Sequence, residues 1–155
     1  MSKILIVDDD AAIRTLIGTA MELAGHDVSE AEDGTQALRK LRRRRYDLVL
    51  LDIMLPGIDG YEVLESIREM PSRSDMPVVV LTARHDPHGL AREIAAGATD
   101  HLAKPFLPSE LERAVERALD EADNDGHTSR RRILGTDAEI YGSVQDLVNL
   151  ARTAS

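Results

Sequence analysis

Asp8, Asp9 and Asp10 follow directly on the aliphatic run Ile4, Leu5, Ile6 and Val7. Like charges repel and ionised carboxylates resist leaving water, so a triplet of acids closing a buried-looking strand calls for a cause. One is local: an Asp side chain at the start of a helix accepts hydrogen bonds from free backbone N–H groups, so Asp9 or Asp10 serves as an N-cap. The other is that the acids hold something positive. Further along, Asp52 closes a second aliphatic run, Thr82 a third, and Lys104 a shorter one. Three carboxylates, a hydroxyl and an amine make a coherent chemical set. Carboxylates packed without a cation raise a neighbour's pKa. A hard divalent ion removes that conflict, and Mg²⁺ takes one or two carboxylates while keeping waters and phosphate oxygens as its other ligands. Asp52 could then attack a phosphorus atom, with Thr82 donating to the transferred phosphoryl and Lys104 balancing its charge. Singly, each residue has an ordinary reading as a loop acid, a strand threonine or a solvated lysine. Jointly, at four strand ends, they point to one site.

The elements that would bring them together alternate along the chain. Strand-like runs are "KILIV" (3–7), "DVSEA" (27–31), "DLVLLD" (47–52), "PVVVLT" (77–82) and "HLAK" (101–104). Three are apolar almost throughout, as expected of strands covered on both faces. Between them the spacing is helical. Ile13, Leu16, Ile17, Ala20, Met21 and Ala24 share one face, and Gly25 takes the C′ position. Ala37, Leu38 and Leu41 mark a second helix entered through "EDGTQ". Tyr61, Val63, Leu64 and Ile67 mark a third; Leu90, Ile94 and Ala95 a fourth that stops at Gly97; Leu111, Val115, Ala118 and Leu119 a fifth opened by Pro108 and Ser109. Alternating βα units give an α/β fold, a doubly wound parallel sheet with right-handed crossovers. In such sheets the ligand crevice lies at the carboxyl ends of the strands.

Composition bounds the rest. A chain of 155 residues with 43% hydrophobic and 30% charged residues suits one globular domain and some extra length. A net charge of −9 argues against sequence-independent nucleic-acid binding, and three tyrosines and one phenylalanine are too few for a base-stacking platform. The absence of cysteine excludes disulfides, thiolate metal sites and thiol nucleophiles. No leader or membrane-length run is read in the sequence, so the expectation is a soluble cytoplasmic protein.

The pieces "ILIVDDD", "DLVLLDIMLPGIDGYEVL", "PVVVLTA" and "HLAKPF" resemble, in order and spacing, a response-regulator receiver domain, the CheY-like module of two-component signalling. The resemblance covers residues 1–121. It implies five parallel strands in order 2-1-3-4-5 with five flanking helices, the flavodoxin/CheY-like arrangement. It also implies that Asp52 accepts a phosphoryl group from a phosphohistidine on a sensor histidine kinase or phosphotransfer protein. Asp9, Asp52 and the Met54 backbone carbonyl would bind Mg²⁺, and Asp8 would act through water. Thr82 and Lys104 would read the phosphoryl oxygens, and Pro105 would supply a cis peptide that aims the lysine.

His101 stands where the family usually carries an aromatic switch residue; it would serve in that role or be an exposed polar residue. Met54 and Arg84 occupy positions that, in the family the sequence resembles, shape water access to the acyl phosphate. Phosphorylation would draw Thr82 and the loop 84–89 ("RHDPHG") toward the new charge and alter the helix 4–strand 5–helix 5 surface, read by a downstream effector or a homodimer partner. That is a self-phosphorylating switch rather than a turnover enzyme.

Three other readings stay open. Asp8 and Asp10 have the D-x-D spacing of an aspartyl-phosphate phosphatase, although the Asp52 block and the terminal "AKP" favour the receiver. A receiver-shaped scaffold could act without phosphorylation. Residues 122–155 read as a polar linker and a short helical tail, in which Val144, Leu147, Val148 and Ala151 have helical spacing. "ILGTDAEI…LVNLARTA" resembles the entry to the AAA+ module of sigma-54-type activators, which would make the chain the front portion of a longer transcription regulator. The basic runs "RRRR" (42–45) and "RRR" (130–132) read as solvated, the first at a helix end where cations suit the dipole.

Overall fold

A computed structural model describes residues 1–83 and 87–124. The elements alternate as β1 (Lys3–Val7), α1 (Ala11–Leu23), β2 (Asp27–Ala31), α2 (Gly34–Arg43), β3 (Leu48–Asp52), α3 (Gly60–Glu69), β4 (Val78–Thr82), α4 (Pro87–Ala96), β5 (Asp100–Ala103) and α5 (Pro108–Asn124). All neighbouring strands pair in parallel, in the order β2-β1-β3-β4-β5. This is the doubly wound sheet with five helices that the sequence pattern and the resemblance lead one to expect. The loop residues 84–86, which include Arg84 and His85, and the tail from 125 onward lie outside the described residues.

Side chains alternate across a strand, so one apolar run serves two cores. Leu5, Val7, Val49, Leu51, Val78 and Val80 face one side, where Ala37, Leu38 and Leu41 of α2, Val63, Leu64 and Ile67 of α3, and Ala91 of α4 cover them. Ile4, Ile6, Leu48, Leu50, Val79 and Leu81 face the other, under Ile17 and Met21 of α1 and Leu111, Ala114, Val115 and Ala118 of α5. Every strand residue named here is fully buried, at roughly 1.5–3 kcal/mol per large aliphatic side chain. Two cores back to back thus cover both faces of the sheet.

Helix ends follow local chemistry. Asp10 caps α1, its carboxylate accepting from the N–H groups of Ala12 (2.9 Å) and Ile13 (3.3 Å). Asp33 and Asp59 cap α2 and α3 in the same way. Gly25 follows the last turn of α1 at φ +92°, the left-handed region that glycine enters without steric cost.

Two helical faces differ from expectation. Leu16 is 51% exposed and Ala24 is also exposed, because α1 buries only the narrower stripe Ile17, Gly18, Ala20 and Met21. On α4, Ile94 packs partly buried against the core as expected, but Ala95 faces solvent, and the fully inward positions are Ala91 and the carboxylate residue Glu93. A charged residue on an inward face is invisible to an apolar-periodicity argument.

Candidate functional site

Register places the polar residues side by side. β1 and β3 pair Val7 with Leu51, so Asp8 and Asp52 are the next residues on adjacent strands. β4 and β5 pair Thr82 with Ala103, so Lys104 follows immediately beyond. The Lys104 N–H donates to the Thr82 carbonyl at 2.7 Å, and the Lys104–Pro105 peptide bond is cis.

One carboxylate oxygen each from Asp8, Asp9 and Asp52 lies within 4.8 Å of the others. Asp8 is fully buried, Asp52 is 4% exposed, and Asp9 faces solvent. The Lys104 ammonium donates to Asp8 Oδ2 at 2.7 Å and lies 3.5 Å from Asp52 Oδ2. Asp8 Oδ1 accepts from the Asp10 N–H (2.9 Å), and Asp52 Oδ1 accepts from the Met54 N–H (3.0 Å). The Met54 side chain itself is 70% exposed. Three oxygen donors, two of them buried and one open to solvent, fit a hard divalent cation that keeps part of its water shell.

Burial pushes the Asp52 carboxyl above the usual carboxylate range, the Asp8 charge adds to the rise, and Lys104 and the Met54 N–H only partly offset it. For Lys104, burial opposes the charge, but the hydrogen bond to Asp8 and the charges of Asp52 and Asp8 more than compensate, so its pKa is raised. Together these place a basic, desolvated carboxylate beside a firmly protonated amine.

His101 is not the exposed polar residue of the alternative reading: its side chain is 12% exposed and Nδ1 lies 3.2 Å from Oε2 of Glu93 on α4. Two residues near this edge carry no sequence signal. Glu93 sits in a helical pattern where a charge reads as solvent-facing. Arg14, one turn into α1, reaches back to donate through Nη1 to the Asp8 carbonyl at 2.6 Å. Long helical side chains lean toward the N-terminus of their helix, which is what lets Arg14 reach a strand end that precedes it.

Comparison with known proteins bears on this arrangement. Residues 4–116 match the model of the response regulator receiver domain family. The chain is 38% identical over 135 residues to "Probable transcriptional regulator ycf27" of Porphyridium aerugineum, covering 85% of this chain and 55% of that protein. It is 40% identical over 118 residues to the transcriptional regulatory protein ResD of Bacillus subtilis, covering 76% of this chain and 48% of that one. The chain spans about half the length of the curated relatives it matches. Among solved structures, the chemotaxis response regulator CheY4 of Vibrio cholerae superposes with a TM-score of 0.75 at 34% identity, over 77% of this chain and 99% of that one.

Proposed function

The chain belongs to the response regulator receiver family, and from that premise we propose that Asp52 accepts a phosphoryl group from a phosphohistidine on a sensor histidine kinase or phosphotransfer protein. The observation that carries the reading is the buried Asp8–Lys104–Asp52 cluster with the solvent-open Asp9 beside it.

Each residue has a physical task. Asp52 is the nucleophile: a carboxylate oxygen forms the new O–P bond while the imidazole nitrogen of the donor keeps the electron pair of the breaking N–P bond. The Met54 N–H holds Oδ1 of Asp52 and so fixes the plane of the carboxylate. Lys104 balances charge on the phosphoryl oxygens, and its ion pair to Asp8 keeps the ammonium at the site beforehand. Thr82 donates its hydroxyl hydrogen to a phosphoryl oxygen. Asp9, Asp52 and the Met54 carbonyl would hold Mg²⁺, with Asp8 acting through water, and the ion would supply neutralisation of the gathered negative charge.

The added charge, about −1.5 to −2, is the signal. Thr82 ends β4 and β5 carries His101, so a shift of Thr82 toward the phosphoryl group moves the α4–β5–α5 face. A downstream effector, or a second copy of the chain, reads that face. The protein acts as a switch and not as a turnover enzyme. No described helix is long and apolar enough to cross a membrane, and we place the phosphotransfer in the cytoplasm. We propose residues 1–121 as the receiver unit; α5 runs past that bound to Asn124, so 122–124 belong to the helix and not to the linker expected at 122–155.

A second reading has its own support. Relatives named as transcriptional regulators run to about twice the length matched, so this receiver is proposed to be the front portion of such a regulator, its output residing in sequence beyond the receiver.

Intact-mass spectrometry after incubation with acetyl phosphate and Mg²⁺ tests the central claim. One phosphoryl group should be added to wild type, should require Mg²⁺, and should be absent from Asp52→Asn. An adduct that persists in Asp52→Asn places the chemistry elsewhere. Phosphate release from small phosphomonoesters that is lost in Asp8→Asn but kept in Asp52→Asn would indicate the phosphatase reading instead.

A further inference from the structure

We propose that Arg14 is a positioning residue for the cation site, acting through the backbone of Asp8, and that Glu30 holds it at that post. The inference rests on the reading of Asp8, Asp9 and Asp52 as a cation site.

Three consecutive acids leave β1 and do three different things. Asp8 turns inward to Lys104, Asp9 lies at the solvent-open side of the acid cluster, and Asp10 caps α1. Which way each side chain points depends on the backbone between Val7 and Ala11. Arg14 pins that stretch. Its Nη1 donates to the Asp8 carbonyl at 2.6 Å, while its own N–H closes the first turn of α1 on the Asp10 carbonyl at 3.0 Å.

The guanidinium is itself held. Nε lies 3.2 Å from Oε1 of Glu30 on β2, and the Arg14 side chain is only 15% exposed. The Lys40 ammonium of α2 in turn donates to the Glu30 backbone carbonyl. Side chains from α1, β2 and α2 therefore converge behind the turn that presents Asp8 and Asp9. A planar guanidinium makes the two contacts from separate nitrogens in fixed relation, which a single ammonium does not reproduce.

Charge and geometry make opposite predictions. As a positive charge beside a cation site, Arg14 opposes Mg²⁺ binding. As a clamp on the Asp8 carbonyl, it favours binding by keeping the carboxylates in place. Groups that orient metal ligands from behind typically change metal affinity by about 10–100-fold when removed.

The test is Mg²⁺ titration by isothermal calorimetry on the metal-free full chain, with thermal unfolding of each variant measured alongside. Arg14→Gln should bind Mg²⁺ about tenfold or more weakly, and Arg14→Lys, which keeps the charge, should also bind more weakly. Phosphorylation by acetyl phosphate should recover in both at high Mg²⁺. Glu30→Gln, at a residue whose side chain is 50% exposed, should show a smaller loss in the same direction and serves if an Arg14 variant fails to fold. Equal or tighter Mg²⁺ binding by Arg14→Gln overturns the positioning role, as does unchanged binding by Glu30→Gln where the Arg14 variants do not fold. Wild type that binds no Mg²⁺ overturns the cation-site reading itself, so the two failures are distinguishable.

Discussion

Nδ1 of His101 lies 3.2 Å from Oε2 of Glu93, joining β5 to α4 through a carboxylate residue that is only 2% exposed. The tie continues sideways. The His101 N–H donates to Asp100 Oδ1 at 2.8 Å, and Asp100 Oδ2 lies 3.6 Å from Arg117 on α5. The three elements of the proposed output face are thus linked by polar contacts as well as by packing.

His101→Ala removes one member of that linkage and leaves Glu93 buried with a contact missing. Losing one partner of a buried polar pair costs about 1–3 kcal/mol. Urea denaturation should show a lower midpoint with the same slope, the pattern of lost stability without altered compactness. Glu93→Gln keeps an acceptor oxygen in the same place and should cost less. Equal stability of wild type and His101→Ala would mean the contact contributes nothing to holding α4.

Gly60 opens α3 against the end of β3. A Cβ built there would stand 2.5 Å from the Ile53 Cα and 2.6 Å from the Asp52 carbonyl oxygen, both backbone atoms. Neither yields without moving α3 off the strand, so Gly60→Ala should cost about 1–3 kcal/mol or more. It should also slow acetyl-phosphate labelling, since the displaced backbone carries Asp52. A variant with wild-type stability and labelling rate would show that α3 shifts freely.

The order of elements was legible because strand and helix periods differ and the chain alternates between them. Leu50 and Leu51 read as one apolar run and proved to serve opposite cores, which a both-faces-covered strand predicts. The gathering of Asp8, Asp52, Thr82 and Lys104 at one sheet edge was equally legible, since strand-end residues of a parallel sheet share that edge. What was not legible was who holds whom. Lys104 pairs more closely with Asp8 than with Asp52, a matter of side-chain reach across 96 residues of sequence. Arg14 and Glu93 look like solvent-facing helix positions until packing turns them inward. Leu16 shows the converse, an apolar residue left 51% exposed.

Lys104→Met tests the cost of leaving the fully buried Asp8 without its cation. Removing one partner of a buried ion pair typically costs about 3–5 kcal/mol, and chemical denaturation at neutral pH should show a loss of that order. The pH dependence has a definite sign. Because the folded-state pKa of Lys104 is raised above 10.5, its contribution is fully present below that value. It is lost as pH rises through the folded-state pKa. Wild-type stability should therefore fall in the alkaline range by a component that the variant lacks.

Asp52→Asn should stabilise the metal-free protein, although it removes the proposed phosphoacceptor. Burial and the Asp8 charge raise the Asp52 pKa above 3.8, so at neutral pH the folded state carries a carboxylate that would be better solvated in the unfolded chain. The folded protein binds the proton more tightly, so stability declines as pH rises from the ordinary carboxylate value through the raised one. The penalty is absent well below 3.8 and grows as pH rises toward the raised value. Metal-free thermal unfolding should accordingly show Asp52→Asn melting higher than wild type at neutral pH, with the gap closing on acidification. Mg²⁺ should act the other way. At a concentration about 100 times its dissociation constant, it adds about 2.7 kcal/mol to the protein that binds it, and the Asn variant, one carboxylate short, should gain less. If Asp52→Asn instead melts lower at neutral pH without metal, then the Lys104 and Met54 contacts outweigh burial and repulsion, and Asp52 is held as a stabilising charge rather than one kept ready for an incoming cation and phosphoryl group.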